Sequence, residues 1–97
     1  GATVQLFSGG NAFSGIFIIN DFTRTGDVYM IMTGGGAISI LAQTGSVLVV
    51  SSSPGSLQYG IYLSSLGVMF KNGTGGSFNF RIICKSFNYM SRGVSKI

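Results

Sequence analysis

Hydrophobic and polar positions alternate over short stretches along most of this chain, and clusters rich in glycine and serine separate the stretches. Alternation over a few residues is typical of a half-buried β-strand, whereas an amphipathic helix needs apolar positions three and four residues apart. Glutamate, a good helix former, is absent, and the glycine clusters recur too closely to leave room for long helices. The pattern therefore predicts an all-β protein.

Turn-forming residues recur about every 8–12 residues, a spacing typical of an antiparallel sandwich or barrel. We therefore predict one small antiparallel β-sandwich or jelly-roll-like domain over residues 1–97. The nine predicted strands lie near residues 3–7, 13–19, 27–33, 37–43, 46–51, 57–63, 67–71, 77–84 and 86–91. The segment 41–50 predicts a tight hairpin in which Gly45 takes a positive φ. The Asn72-Gly73-Thr74 triplet matches the N-glycosylation pattern, but we interpret it as part of a longer turn.

Two predicted strands are apolar on both faces, which a sandwich of this size cannot bury by itself. In residues 28–32, and again in residues 47–50, odd and even positions alike are apolar. Residues 37–43 instead alternate in the manner of a half-buried strand. A strand with two apolar faces needs cover on both. We therefore predict that another subunit covers the second face, so that the protein is a homo-oligomer.

The composition agrees with assembly. Hydrophobic residues make up 45% of the chain and charged residues only 8%, against about 25% charged residues in an ordinary soluble domain. This balance is the opposite of the one that keeps a chain disordered. With so few charges, the surface consists of uncharged polar residues, or part of it is hidden in an assembly.

The net charge of +4 is unevenly distributed along the chain. Residues 71–97 contain five of the six cations and no acid. Such asymmetry indicates an anionic partner, which could be a nucleic acid, a membrane surface or an acidic glycan. The alternative is that the five cations only provide ordinary solubility.

The residues that most enzymes and metal sites require are scarce. The chain has no histidine, one cysteine and two carboxylates, Asp21 and Asp27. A Ser-His-Asp or Cys-His arrangement and a zinc site therefore cannot be built within it. A glycosidase pair made of Asp21 and Asp27 is formally conceivable, but aspartates that flank a turn explain the pattern better. We predict a protein that is not an enzyme, with no catalytic residues, no metal and no cofactor.

Membrane insertion is not expected either. The longest apolar runs are about five residues, far below the roughly 20 that a membrane-spanning helix needs. Cys84 has no second cysteine to pair with and lies in an apolar string. It is therefore expected to act as a small hydrophobic core residue.

Residues 77–93 interleave aromatic and basic side chains, the combination found in some nucleic-acid platforms. In a strand, one face of this stretch is formed by Phe78, Phe80, Ile82 and Cys84. Arg81 points to the opposite face, whereas an RNA-binding strand presents its rings beside its cations. We therefore predict a core-facing strand and no nucleic-acid binding. The alternation changes phase after Cys84, which predicts a β-bulge or a break near Ile83–Ser86.

The longest polar segment, residues 20–27, is the candidate ligand site. It holds both carboxylates and one cation in a chain whose other turns are short. The candidate ligand-binding residues are Asn20, Asp21, Arg24 and Asp27, together with Arg81 and Lys85 from the basic part of the chain. The alternative is that an Asp–Arg pair on the surface merely caps the turn.

In texture, about two-thirds of the chain resembles the C-terminal tip domains of bacteriophage tail fibres, tailspikes and neck appendages. Residues 57–82, "LQYGIYLSSLGVMFKNGTGGSFNFRI", carry the resemblance best. It implies a homotrimeric β-sandwich or jelly roll on the virion, a viral protein that attaches to host surface polysaccharide or aids trimerisation. It assigns no role to any residue. A purely structural trimerisation cap is the main alternative, followed by a protein that binds nucleic acid or membrane.

Overall fold

The computed structural model describes residues 2–8, 14–86 and 94–97. These residues form nine strands and no helix: β1 (Thr3–Ser8), β2 (Gly15–Asn20), β3 (Val28–Gly34), β4 (Ala37–Gln43), β5 (Leu48–Val50), β6 (Tyr59–Ser64), β7 (Gly67–Asn72), β8 (Asn79–Ser86) and β9 (Val94–Lys96). The predicted all-β class is confirmed, and each of the first eight predicted strands overlaps an observed one.

The strands form two sheets. The small sheet has four strands in the order β1-β7-β6-β5, and the large sheet has five in the order β4-β3-β2-β8-β9. Neighbouring strands are antiparallel except for β5 and β6, which run parallel. The fold is therefore a β-sandwich that is mainly, but not entirely, antiparallel.

One hydrophobic core lies between the two sheets. The large sheet contributes side chains such as Phe17, Ile31 and Ile82, and the small sheet contributes Ile61 and Val68, all of them 0% exposed. Cys84 is buried in the same core, as predicted. The rings of Tyr59 and Phe70, from the small sheet, meet Phe80 edge to face, with centroids 4.9 and 5.1 Å away. Edge-to-face pairs add about 0.5–1.5 kcal/mol each beyond the area that they bury.

The tight turn between β3 and β4 follows from its glycines. Gly35 and Gly36 have φ angles of 61° and 77°, values that L-residues with a side chain rarely adopt. Two successive positive φ angles define the type I′ turn, whose twist matches that of the flanking strands.

The predicted hairpin over residues 41–50 is wrong. Strand β4 belongs to the large sheet and β5 to the small sheet, so the chain crosses between sheets near Gly45. Gly45 is not among the described glycines with a positive φ. A side chain is excluded there for another reason, because a Cβ atom would overlap the carboxylate of Asp27 and the hydroxyl of Tyr29.

The predicted bulge or break near Ile83–Ser86 is also wrong. Strand β8 pairs with β2 in unbroken register from Arg81, opposite Asn20, to Ser86, opposite Gly15. The predicted assignment of the faces is confirmed, because Phe80, Ile82 and Cys84 are buried whereas Arg81 is exposed. The remainder of the predicted strand 86–91 lies outside the described residues. Register shifts occur instead between Gln5 and Phe7 and between Met30 and Ile31.

Candidate functional site

The loop between β2 and β3, residues 21–27, is closed by hydrogen bonds across its base. The Asn20 side-chain Nδ2 donates to the carbonyl oxygens of Gly26 and Asp27, at 3.2 and 3.0 Å. The backbone N–H of Asp21 donates to the Asp27 carbonyl at 2.9 Å, and that of Gly26 donates to the Asp21 carbonyl at 2.6 Å. Gly26 has a φ of 76°, which allows the chain to turn back on itself. The polar segment is therefore a fixed loop.

Asp21 points from this loop into the protein and is only 1% exposed. The Tyr59 hydroxyl, on strand β6, donates to Asp21 Oδ2 at 3.0 Å, and Arg24 Nη1 donates to the same hydroxyl at 2.7 Å. We call these contacts the Arg24–Tyr59–Asp21 network. The network joins the two sheets. The alternative interpretation, an Asp–Arg pair on the surface, is wrong for Asp21, because Asp21 is buried and accepts a hydrogen bond from Tyr59.

Sequence reasoning missed Tyr59, since it lies 38 residues from Asp21 and belongs to the other sheet. Burial raises the pKa of the Tyr59 phenol, and although the Arg24 hydrogen bond lowers it, the hydrogen bond to Asp21 raises it further. The net direction is upward. The hydrogen bond to Tyr59 raises the pKa of Arg24. At neutral pH Tyr59 is therefore an uncharged bridge between a cation and a carboxyl group.

Two arginine–phenylalanine pairs flank this network at one end of the large sheet. The Arg24 guanidinium carbon lies 5.0 Å from the Phe78 ring centroid, and that of Arg81 lies 4.7 Å from the Phe22 ring centroid. Between the pairs, Thr23 Oγ1 accepts a hydrogen bond from the Asn79 backbone N–H at 3.0 Å. We call these two pairs, which the Thr23–Asn79 hydrogen bonds hold at the same end of the large sheet, the Arg/Phe surface.

The structure brings together some of the predicted site residues and separates others. Asn20, Asp21, Arg24 and Asp27 belong to the loop or its base, and Arg81 lies opposite Asn20. Lys85 lies opposite Ile16, four residues farther along β8, which is roughly 14 Å away at strand spacing. The Asp27 carboxylate accepts a hydrogen bond from Thr44 Oγ1 at 3.2 Å. The two aspartates thus have different neighbours, and only Asp21 enters the network.

The Asn72-Gly73-Thr74 triplet is a buried turn, as we interpreted it. Asn72 is 1% exposed, and its side-chain Nδ2 donates to the carbonyl oxygens of Gly76, at 2.8 Å, and Ile97, at 3.2 Å. Its Oδ1 accepts the Thr74 backbone N–H at 2.9 Å, which is the hydrogen bond of an Asx turn. The nitrogen that would carry a glycan is therefore engaged inside the folded domain.

A pocket of about 280 Å³ lies at the opposite end of β3, beside the β3–β4 turn. Its lining is Ser14, Met32, Thr33, Gly34, Ala37 and Ser39. Thr33 is 2% exposed, and its Oγ1 makes no hydrogen bond within the described part of the chain. This pocket is distinct from the Arg/Phe surface.

The outer side of the large sheet is apolar over three adjacent strands. Met30 on β3 lies opposite Ile18 on β2, which in turn lies opposite Ile83 on β8. Met30 is 36% exposed and Ile83 is 49% exposed. We call this surface the outer apolar face; it comprises Ile16, Ile18, Val28, Met30, Met32 and Ile83. The prediction that residues 28–32 are apolar on both faces is confirmed, since Tyr29 and Ile31 are buried on the inner side.

The outer side of the small sheet is different in character. Gln5, Met69 and Tyr62 lie side by side there, and the next row contains Thr3 and Lys71. Polar side chains are thus mixed among the apolar ones. The two sides of the sandwich are therefore not equivalent, and the large sheet carries the greater apolar surface.

Within residues 2–8, 14–86 and 94–97, no three His, Cys, Asp or Glu side chains are grouped as a metal site would require. The same residues contain no helix long and apolar enough to cross a membrane. No family model matches the chain, and comparison with curated proteins and with solved structures gives no match either.

Proposed function

We propose that this chain is a non-enzymatic module of a viral fibre or spike that assembles as a homotrimer and forms the tip, where it attaches to host surface polysaccharide. The observation that carries the assembly in this proposal is the outer apolar face. A small domain rarely leaves a contiguous apolar surface of this kind in water unless the surface is an interaction site.

The arrangement of charge on this face supports a second copy of the chain as the occupant. On β8 the exposed residues alternate as Arg81, Ile83 and Lys85, so the cations lie along one side of the face. Val28, Met30 and Met32 lie on β3, on the other side of β2. Interface cores are depleted in charge and rims are polar. An interface centred on β2 and β3 therefore leaves Arg81 and Lys85 at its rim.

The composition supports the same conclusion. Only 8% of the residues are charged, so the protein has few charges with which to keep an apolar face soluble as a monomer. A homo-oligomer removes the exposed methionine and isoleucine side chains from water, and each Å² of apolar surface that is buried stabilises the assembly by about 25 cal/mol. The second candidate function is a trimerisation cap without a ligand, which the same face favours equally.

Light scattering of the purified chain at falling concentrations tests the assembly. We expect a mass three times that of the 10.1 kDa chain, and we expect Met30→Lys to reduce it to the mass of one chain, because the substitution places a charge in the interface. Met69→Lys is the matched control, since it makes the same change on the outer side of the small sheet, and it should leave the mass unchanged. A wild-type chain that is monomeric at all concentrations would overturn the proposal.

A further inference from the structure

We infer that the Arg/Phe surface binds a carboxylate-bearing saccharide, such as a uronic acid unit of an acidic polysaccharide. This inference deepens the proposed attachment function and rests on it only for the polymeric form of the ligand.

Neither guanidinium group forms a direct salt bridge within the described part of the chain. Arg81 lies against the Phe22 ring, and Arg24 contacts Tyr59 and Phe78. Asp21 and Asp27 each lie three residues from Arg24, but Asp21 is turned inward onto the Tyr59 hydroxyl and the Asp27 carboxylate accepts from Thr44 Oγ1. Two positive charges are therefore held at one end of the sheet, and the one acid linked to Arg24, Asp21, is buried behind Tyr59.

Neighbouring groups hold the guanidinium groups of Arg24 and Arg81 in place. The Phe22 and Phe78 rings each have a guanidinium group within about 5 Å of the ring centroid, and the loop that supplies Phe22 and Arg24 is closed by its own backbone. Thr23 also ties this loop to the first residue of β8. Ordering that exists before binding lowers the entropic cost of binding.

The guanidinium groups of the Arg/Phe surface favour a carboxylate as the ligand. A guanidinium group has a planar fork of N–H donors that matches a carboxylate in bidentate geometry. A nucleic-acid platform instead needs aromatic faces on which bases can stack, and here each ring already has an arginine at its face. The surface therefore favours a carboxylate on a hydroxyl-rich ligand over a single-stranded nucleic acid.

Assembly of the chain increases the number of Arg/Phe surfaces that one ligand molecule can reach. A trimer that joins through the outer apolar face would present three copies of the Arg/Phe surface, because Arg81 lies at the rim of that face. An acidic polysaccharide repeats its carboxylate along the chain, so one polymer could engage more than one copy. Linked sites of this kind raise the apparent affinity about 10²–10⁴-fold when their spacing allows joint binding.

The test measures binding of polygalacturonate, galacturonic acid, dextran and a thymidine 20-mer to the wild-type protein. Arg81→Gln should weaken polygalacturonate binding by about 10-fold or more, the loss typical of one charge-assisted contact. Lys85→Gln is the matched control, because it removes the same charge from the same strand four residues away, and we expect less than a threefold effect. Arg81 is preferred to Arg24 because it takes no part in the Arg24–Tyr59–Asp21 network.

Three results would overturn the inference: equal losses for Arg81→Gln and Lys85→Gln, binding of dextran as tight as that of polygalacturonate, or tighter binding of the oligonucleotide. Failure of the proposed assembly gives a different result. A monomeric wild-type protein that still binds galacturonic acid through Arg81 would retain the site and remove the trimer. In the Met30→Lys variant, affinity for polygalacturonate should fall while affinity for galacturonic acid stays the same.

Discussion

Replacing Tyr59 with phenylalanine tests the Arg24–Tyr59–Asp21 network most directly, because the change removes one oxygen atom and little else. The ring of Tyr59 packs against Phe70, Phe78 and Phe80, with centroids 5.9, 6.4 and 4.9 Å away. Phenylalanine fills the same space. The change therefore deletes the hydrogen bonds to Asp21 and from Arg24 while the aromatic packing remains.

The expected cost comes mainly from Asp21. A hydrogen bond to a charged group contributes about 1.5–3 kcal/mol, and leaving a buried polar group without its donor adds to the loss. Asp21 is 1% exposed, and its other oxygen, Oδ1, already makes no hydrogen bond to the described residues, so it has no alternative donor at hand. We expect Tyr59→Phe to lower the free energy of unfolding by about 2–4 kcal/mol. The exposed Arg24 can be hydrated instead and should contribute little.

Chemical denaturation at one fixed protein concentration measures this loss, since assembly makes stability depend on concentration. A domain of this length is stable by about 5–15 kcal/mol, so the variant should still fold. Tyr62→Phe is the matched control: it deletes the same atom from the same strand, at a half-buried position, and should change the stability by less than about 0.5 kcal/mol.

A second background separates the hydrogen bond from other effects of the substitution. In Asp21→Asn the side chain keeps an oxygen that can accept from the Tyr59 hydroxyl, but the buried charge is gone. Adding Tyr59→Phe to that variant should cost only about 0.5–1.5 kcal/mol, the value for a neutral hydrogen bond. If Tyr59→Phe costs the same in both backgrounds, or less than about 0.5 kcal/mol in the wild type, the network does not stabilise the fold as argued.

Three further predictions follow from the same geometry. Because the pKa of Tyr59 is raised in the folded protein, the folded state holds the Tyr59 proton more tightly than the unfolded state does. The resulting stabilisation is complete below the ordinary tyrosine pKa of about 10 and is lost as pH rises above it. Denaturation curves of the wild type should show this alkaline loss of stability, and those of Tyr59→Phe should lack it. Ile82→Ala should lower the free energy of unfolding by about 2–5 kcal/mol because Ile82 is 0% exposed. Ile83 is 49% exposed, so Ile83→Ala should lower it by less than about 1 kcal/mol at protein concentrations too low for assembly. Equal losses would contradict the assigned faces of β8. In thermal unfolding, Gly60→Ala should destabilise the protein by more than about 1 kcal/mol, because the new Cβ would overlap a backbone carbonyl oxygen. Gly75→Ala is the control: its Cβ would meet nothing within 4 Å, so the change should be neutral or slightly stabilising.

The strands and their faces could be predicted because both depend on neighbouring residues. The period of two in an extended chain places Ile82 inward and Ile83 outward whatever the rest of the fold does. The glycines at 35 and 36 likewise specify a turn through their own φ angles. These features are local, so the order of residues along the chain is sufficient to locate them.

The sheet to which each strand belongs could not be predicted in the same way. The segment around Gly45 has the composition of a hairpin, yet it carries the chain from the large sheet to the small one. What requires glycine there is the carboxylate of Asp27 and the hydroxyl of Tyr29, which occupy the space of a side chain. That constraint comes from residues distant in sequence, and a pattern of turn residues contains no record of it.

The candidate site combines both situations. A polar loop with two aspartates and an arginine indicates where hydrogen-bonding groups gather, but it does not indicate which of them remain at the surface. Tyr59, from the other sheet, donates to the buried Asp21, which therefore forms no direct salt bridge with Arg24. If Tyr59 holds Asp21 as the structure indicates, Tyr59→Phe should weaken carboxylate binding and also lower the free energy of unfolding. The reason is that an Asp21 released from Tyr59 could pair with Arg24, one of the two arginines of the Arg/Phe surface.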